Sequence, residues 1–172
     1  GGHQENGHRA GTENVASIVG LGKACALAQH NMEHEIAMIT GLRDHLEKQL
    51  IARCPHTRIN GNQASRLPNT TNISFGYVEG EAILLKLDAA GICASSGSAC
   101  SSGSDGPSHV LRAMNVPPEF IRGSIRFSLN RYSIAAEIER TIDIIPGIIE
   151  DLRRLSPWMP ASRTTCVHDS SR

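Results

Sequence analysis

Long apolar runs are missing from these 172 residues, and no uninterrupted stretch approaches the length that a bilayer-spanning helix needs. The opening Gly1-Gly2-His3-Gln4-Glu5 has none of the marks of a secretory leader, so a cytoplasmic protein is expected. Net charge is missing too, with 17 basic side chains against 17 acidic ones and no basic run beyond the pair Arg153-Arg154. That balance argues against nucleic acid and against membrane surfaces, partners that bulk electrostatics would hold. Paired cysteine spacing is absent: Cys25, Cys54, Cys93, Cys100 and Cys166 are an odd count without C-x-x-C, which writes neither a disulfide framework nor a zinc knuckle. Among His3, His8 and His30 no pair has the i, i+4 spacing that sets two imidazoles on one helical face, and no metal site of the protein's own is expected. Lysine is scarce. Only Lys23, Lys48 and Lys86 occur, each inside a helical pattern where a solvated amine is expected.

What remains is an ordinary hydrophobic content of 40%, enough for one soluble domain with an appendage. Residues 1–11 are polar and rich in Gly and His, and read as a loop. Thr12 is a good N-cap for the helix that follows. Val15, Ile18, Val19 and Gly22, then Ile36, Ile39, Arg43, Leu46 and Leu50, keep helical spacing and predict a helix over 13–51, bent near His30-Asn31. Its length suits a connector between domains. Short strands are expected at 57–60, 72–75 and 92–94, with a further one over 123–129, where small or polar residues alternate with apolar ones. Helices are expected over 79–90, closed by Gly91, over 107–114 with Pro107 in the first turn, and from a Ser133 cap through Ile138, Ile142, Ile145, Ile149 and Leu152, kinked at Pro146. The alternation gives an α/β chain, a small α+β domain whose mixed or antiparallel sheet is covered by helices. After Pro157 the pattern stops in a polar tail.

One stretch stands apart: Ser95-Ser96-Gly97-Ser98-Ala99-Cys100-Ser101-Ser102-Gly103. Unpaired cysteines are usually buried and inert. Nothing within four residues of Cys100 can bury it, so an exposed loop thiol is expected, the most reactive of the five. A Ser/Gly linker that happens to contain a cysteine is the competing reading. The ordered elements expected on both sides favour a functional loop. Cys93 lies near it and reads as a buried strand cysteine.

These features resemble the C-terminal part of NifS/IscS-type cysteine desulfurases, pyridoxal-phosphate enzymes of the class V aminotransferase family. The resemblance runs from Gly1 to about Pro157. It is carried by Gly7-His8-Arg9-Ala10-Gly11-Thr12-Glu13-Asn14, Tyr77-Val78-Glu79-Gly80-Glu81, Ser95-Ser96-Gly97-Ser98-Ala99-Cys100, Pro107-Ser108-His109-Val110-Leu111-Arg112-Ala113 and Ile125-Arg126-Phe127-Ser128-Leu129. The wording is nearest to the NifS branch.

The resemblance implies a piece of a fold-type I transferase: residues 1–31 a remnant of the large cofactor domain and the start of a connecting helix, 32–156 the small domain, 157–172 the tail. It implies that L-cysteine loses its sulfur to an enzyme thiolate, leaving alanine and a persulfide. Cys100 matches the nucleophile, a role that needs an accessible thiolate. Arg126 matches the guanidinium that holds the substrate carboxylate, a bidentate task. Thr12 matches a residue that reaches the cofactor phosphate of a neighbouring subunit, which implies a homodimer. The persulfide sulfur would go to an iron–sulfur scaffold protein and so into clusters, for nitrogenase in the NifS branch. None of the three lysines matches the Schiff-base lysine, so pyridoxal phosphate has no anchor in this chain. Either the chain is part of a longer desulfurase, or it is a truncated non-catalytic module that carries sulfur on Cys100 or docks a scaffold protein.

Overall fold

A computed structural model describes residues 2–96 and 108–159. These divide between Met38 and Ile39 into two compact units.

The first unit holds a single 3-10 turn, Glu5–Gly7, and the first part of α1, Val15–Arg53. The helix begins two residues later than expected, and its cap is Asn14 rather than Thr12. Asn14 Oδ1 accepts the Ser17 N–H at 3.1 Å, satisfying a donor that the first turn leaves without a helical partner. Asn is the stronger cap of the two, and the chain takes it. The helix runs uninterrupted through His30 and Asn31, with the Asn31 amide donating to the Leu27 carbonyl. Val15, Ile18, Val19 and Leu21 are all exposed along it.

The second unit is built on a three-stranded antiparallel sheet in the order β1 (Thr57–Asn60), β2 (Thr70–Phe75), β3 (Ser124–Ser128). The register sets Ile59, Ile73 and Ile125 in one row and Asn60, Asn72 and Arg126 in the next. Directly paired residues share a face, so the sheet has an apolar side and a polar side. Ile73, Phe75, Ile125 and Phe127 are buried on the apolar side. The helices add to this core Leu46 and Leu50 of α1, Ile83 and Leu87 of α2 (Gly80–Ala89), and Ile142, Ile145 and Ile149 of α5 (Ala135–Arg154), among others. Two short helices, α3 (His109–Ala113) and α4 (Pro118–Ile121), complete the unit. Gly123 lets β3 begin hard against β2, because a Cβ there would collide with the Phe75 carbonyl.

Two local expectations are corrected, at residues 92–94 and at Ser133. Residues 92–94 form no strand; after Gly91, at φ +73°, the chain meets the sheet only at Ser95. Ser133 does not cap α5. Its hydroxyl accepts the Asn130 N–H, while the Glu137 carboxylate accepts the Ile134 N–H at the helix start. Pro146 lies inside an unbroken α5. A proline removes the bond to the carbonyl four residues back, here Ile142, and the Arg53 guanidinium donates to that oxygen at 3.4 Å.

The part of α1 from Ile39 onward is held within the second unit by charge as well as by packing. Glu47, buried, accepts two hydrogen bonds from Arg66 at 2.6 and 2.8 Å, and this pairing raises the Arg66 pKa still further. Arg43, also buried, donates to the Leu67 and Pro68 carbonyls ahead of β2.

Candidate functional site

The polar side of the sheet follows from alternation. In each strand the residues between the apolar ones are polar: Arg58 and Asn60, Asn72 and Ser74, Ser124, Arg126 and Ser128. Its deeper part is a hydrogen-bonded network in which only Asn60 Oδ1 is buried without a partner among the described residues. Asn60 Nδ2 donates to Asn72 Oδ1 at 2.6 Å and to Ser74 Oγ at 2.7 Å, and the Ser124 hydroxyl donates to the same Asn72 oxygen at 2.9 Å. Asn60, Ser74 and Ser124 are buried, whereas Asn72 is half-buried and Arg126 exposed. Side chains thus rise along this face from a buried amide cluster to an accessible guanidinium. Among the described residues, the Arg126 guanidinium makes no hydrogen bond or ion pair.

The outer edge of β3 is closed by one short bridge. Arg126 N–H donates to the Ser95 carbonyl at 2.6 Å, and Ser95 N–H donates to the Arg126 carbonyl at 3.1 Å. The chain leading into the cysteine stretch is therefore pinned to the residue predicted to bind a carboxylate. Cys100 itself lies outside the described residues. Downstream, Ser108 caps α3 by accepting the Leu111 N–H.

Cys93 is exposed, not buried as expected, because its segment stays off the sheet until Ser95. Cys25 is exposed as well. Cys54 is buried, and burial pushes its thiol pKa up against the opposing pull of Arg153 and Arg53. Arg153 in turn donates to the Gly76 and His56 carbonyls, and its own pKa falls through desolvation.

Thr12 belongs to the first unit, where it is exposed and its carbonyl accepts from Arg9 at 3.4 Å. Lys23, Lys48 and Lys86 are exposed on α1 and α2, as expected. A Schiff-base lysine must be desolvated and poised beside its carbonyl partner. The residues of this chain alone therefore do not fit pyridoxal phosphate. A cleft of about 280 Å³ lined by Tyr77, Val78, Pro118, Glu119, Arg122 and Trp158 contains none of the predicted site residues. Arg122 there is committed to Glu79 at 3.0 Å and lies over the Trp158 ring at 5.4 Å. No group of three His, Cys, Asp or Glu side chains converges, and no helix is long and apolar enough to cross a membrane, among the described residues.

The amide cluster was not singled out from the sequence. Its signal is the repeated polar alternation in three short strands, which takes on meaning only once the register aligns Asn60, Asn72 and Arg126.

Residues 3–141 match the family model described as aminotransferase class-V. A cysteine desulfurase of Trichormus azollae is 57% identical over 98% of this chain and 44% of its own length. The cysteine desulfurase NifS of Azotobacter vinelandii is 55% identical over 92% of the chain and 39% of its own. Among solved structures, a NifS-like protein from Rickettsia africae superposes with a TM-score of 0.74 at 37% identity, covering 87% of this chain and 39% of that one. The chain thus spans less than half the length of the relatives it matches.

Proposed function

Since the chain belongs to the class V aminotransferase family, we propose that it is the C-terminal segment of a cysteine desulfurase and supplies that enzyme's sulfur-accepting and carboxylate-binding residues. The observation that carries this reading is the bridge between Ser95 and Arg126, which ties the cysteine-bearing stretch to an accessible cation. The names of the similar proteins support it.

In this reading Arg126 holds the carboxylate of L-cysteine through paired N–H donors. The Cys100 thiolate attacks the substrate sulfur. The substrate's Cβ–S bond breaks with its electron pair left on carbon, which takes up a proton. The net change is Cys100–SH plus cysteine to Cys100–S–SH plus alanine, balanced in atoms and electrons. Pyridoxal phosphate supplies the electron sink in the complete enzyme, on a lysine outside these residues. Residues 1–31 would belong with the cofactor domain, Thr12 would approach the phosphate of a partner subunit in a homodimer, and residues 32–156 would form the small domain. The persulfide would pass to an iron–sulfur scaffold protein, and the likeness to NifS favours a nitrogenase supply route.

The exposure of all three lysines favours a further statement. Taken alone, the segment is a sulfur carrier without cleavage activity. Purified by itself, it is expected to form no stable lysine adduct with pyridoxal phosphate and to yield alanine from cysteine no faster than a protein-free control. A small persulfide donor is expected to load Cys100, since that exchange needs only an accessible thiolate. Cysteine-dependent alanine production by the isolated segment, lost on replacing one of its lysines, would contradict this reading.

A further inference from the structure

Arg126 has a cross-strand neighbour whose chemistry the reaction scheme leaves unused. Asn72 pairs directly with Arg126 in the β2–β3 ladder, so both side chains stand on the polar face. Such neighbours have Cβ atoms about 4.5–5.5 Å apart, a separation that two donors can span to reach one carboxylate. The Asn72 amide is also oriented. Its Oδ1 accepts from Asn60 Nδ2 and from the Ser124 hydroxyl, which fills both lone pairs and turns that end of the group toward the buried network. The Nδ2 end makes no hydrogen bond among the described residues and sits on a half-buried side chain beside an accessible guanidinium. A strand asparagine with no task at its amine end would be a poor choice here, since threonine or valine suits a strand better.

We propose that Asn72 is a second substrate-binding residue: its Nδ2 donates to the carboxylate that Arg126 holds, while Asn60 and Ser124 fix the direction in which it points. The inference rests on the reading of Arg126 as the carboxylate site. A neutral amide next to the guanidinium adds a directed donor without a second positive charge. It therefore favours a carboxylate lying along the Asn72–Arg126 row.

The test uses the complete, cofactor-loaded enzyme that contains this segment, with L-alanine and ethylamine as probes. They share a skeleton and differ by the carboxylate. Asn72→Ala is expected to raise KM for cysteine about tenfold, the loss of one hydrogen bond to a charged group, with kcat changed far less. Calorimetric titration should show L-alanine affinity falling by a similar factor and ethylamine affinity unchanged. Asn72→Asp, which replaces the donor by a like charge, is expected to lose more, and Asn72→Gln to recover part of the loss. Unaltered alanine affinity in Asn72→Ala, alongside strong loss in Arg126→Ala, would overturn the role of Asn72 and leave Arg126 in place. Equal weakening of both probes by Asn72→Ala would mark a purely structural residue and likewise overturn the proposal. Unaltered alanine affinity in Arg126→Ala would sink the carboxylate reading itself.

Discussion

The two faces of the three-stranded sheet divide the work of this chain. On one, Ile73, Phe75, Ile125 and Phe127 are buried against helices and are replaceable only by something of the same shape. On the other, buried Asn60 and Ser124 fasten Asn72, Ser74 accepts from Asn60, and Arg126 stands accessible beside them. Alternation along a strand of five or six residues thus serves both ends. A substitution on the first face is expected to be felt as stability and, under the function proposed above, one on the accessible row of the second as affinity.

The sharpest way to break the contrast is on the apolar face. Phe75 is fully buried, and Phe75→Ala is expected to cost about 3–5 kcal/mol in urea unfolding, enough to threaten the fold. Next comes the pair beneath α1. Glu47→Ala leaves Arg66 without its bidentate partner and is expected to cost about 3 kcal/mol by the same measurement. Thr71 is the exception on the apolar face: its hydroxyl is buried with no hydrogen-bond partner among the described residues. Thr71→Val should therefore stabilise the chain by about 1 kcal/mol, and a loss of stability would show that the hydroxyl has a partner after all. Arg126→Ala, by contrast, should move stability by less than about 0.5 kcal/mol, because its side chain is exposed.

Acid–base behaviour separates the cysteines along the same lines. Burial raises the pKa of Cys54. Below about pH 8.5 the thiol is protonated in both the folded and unfolded chain, and its contribution to stability is intact. As the pH rises past that value, the unfolded thiol ionises while the folded one keeps its proton, so stability declines until the folded pKa is passed. Cys54→Ala should flatten this alkaline decline relative to the parent chain. Brief alkylation at neutral pH should spare Cys54 and modify Cys93 and Cys25, which are exposed.

Much of this was legible in the sequence because it rests on local pattern. β1 coincides with the expected strand, β3 lies within the alternating stretch, and the isoleucine repeat of α5 is buried at Ile138, Ile142, Ile145 and Ile149. The errors occur where two residues compete for one local job or where a partner distant in sequence decides. Thr12 and Asn14 can both cap, and the helix takes asparagine, the stronger of the two. Ile92-Cys93-Ala94 is apolar enough for a strand, yet the free edge of β3 is met only at Ser95. Asn72 became a candidate only through its register against Arg126, 54 positions away by residue number.

The central claim is that the segment receives sulfur on Cys100 beside a carboxylate bound at Arg126. The most direct measurement is mass mapping of all five cysteines in the complete enzyme after one turnover with L-cysteine, with Arg126→Ala run in parallel. The account predicts one added sulfur atom on the Cys100 peptide, alanine in equal amount, and both strongly reduced in the Arg126 variant at low cysteine. Sulfur on Cys93 with Cys100 unmodified, told apart by fragmenting the peptide that carries both, or full loading in the Arg126 variant at the same low cysteine, would contradict it.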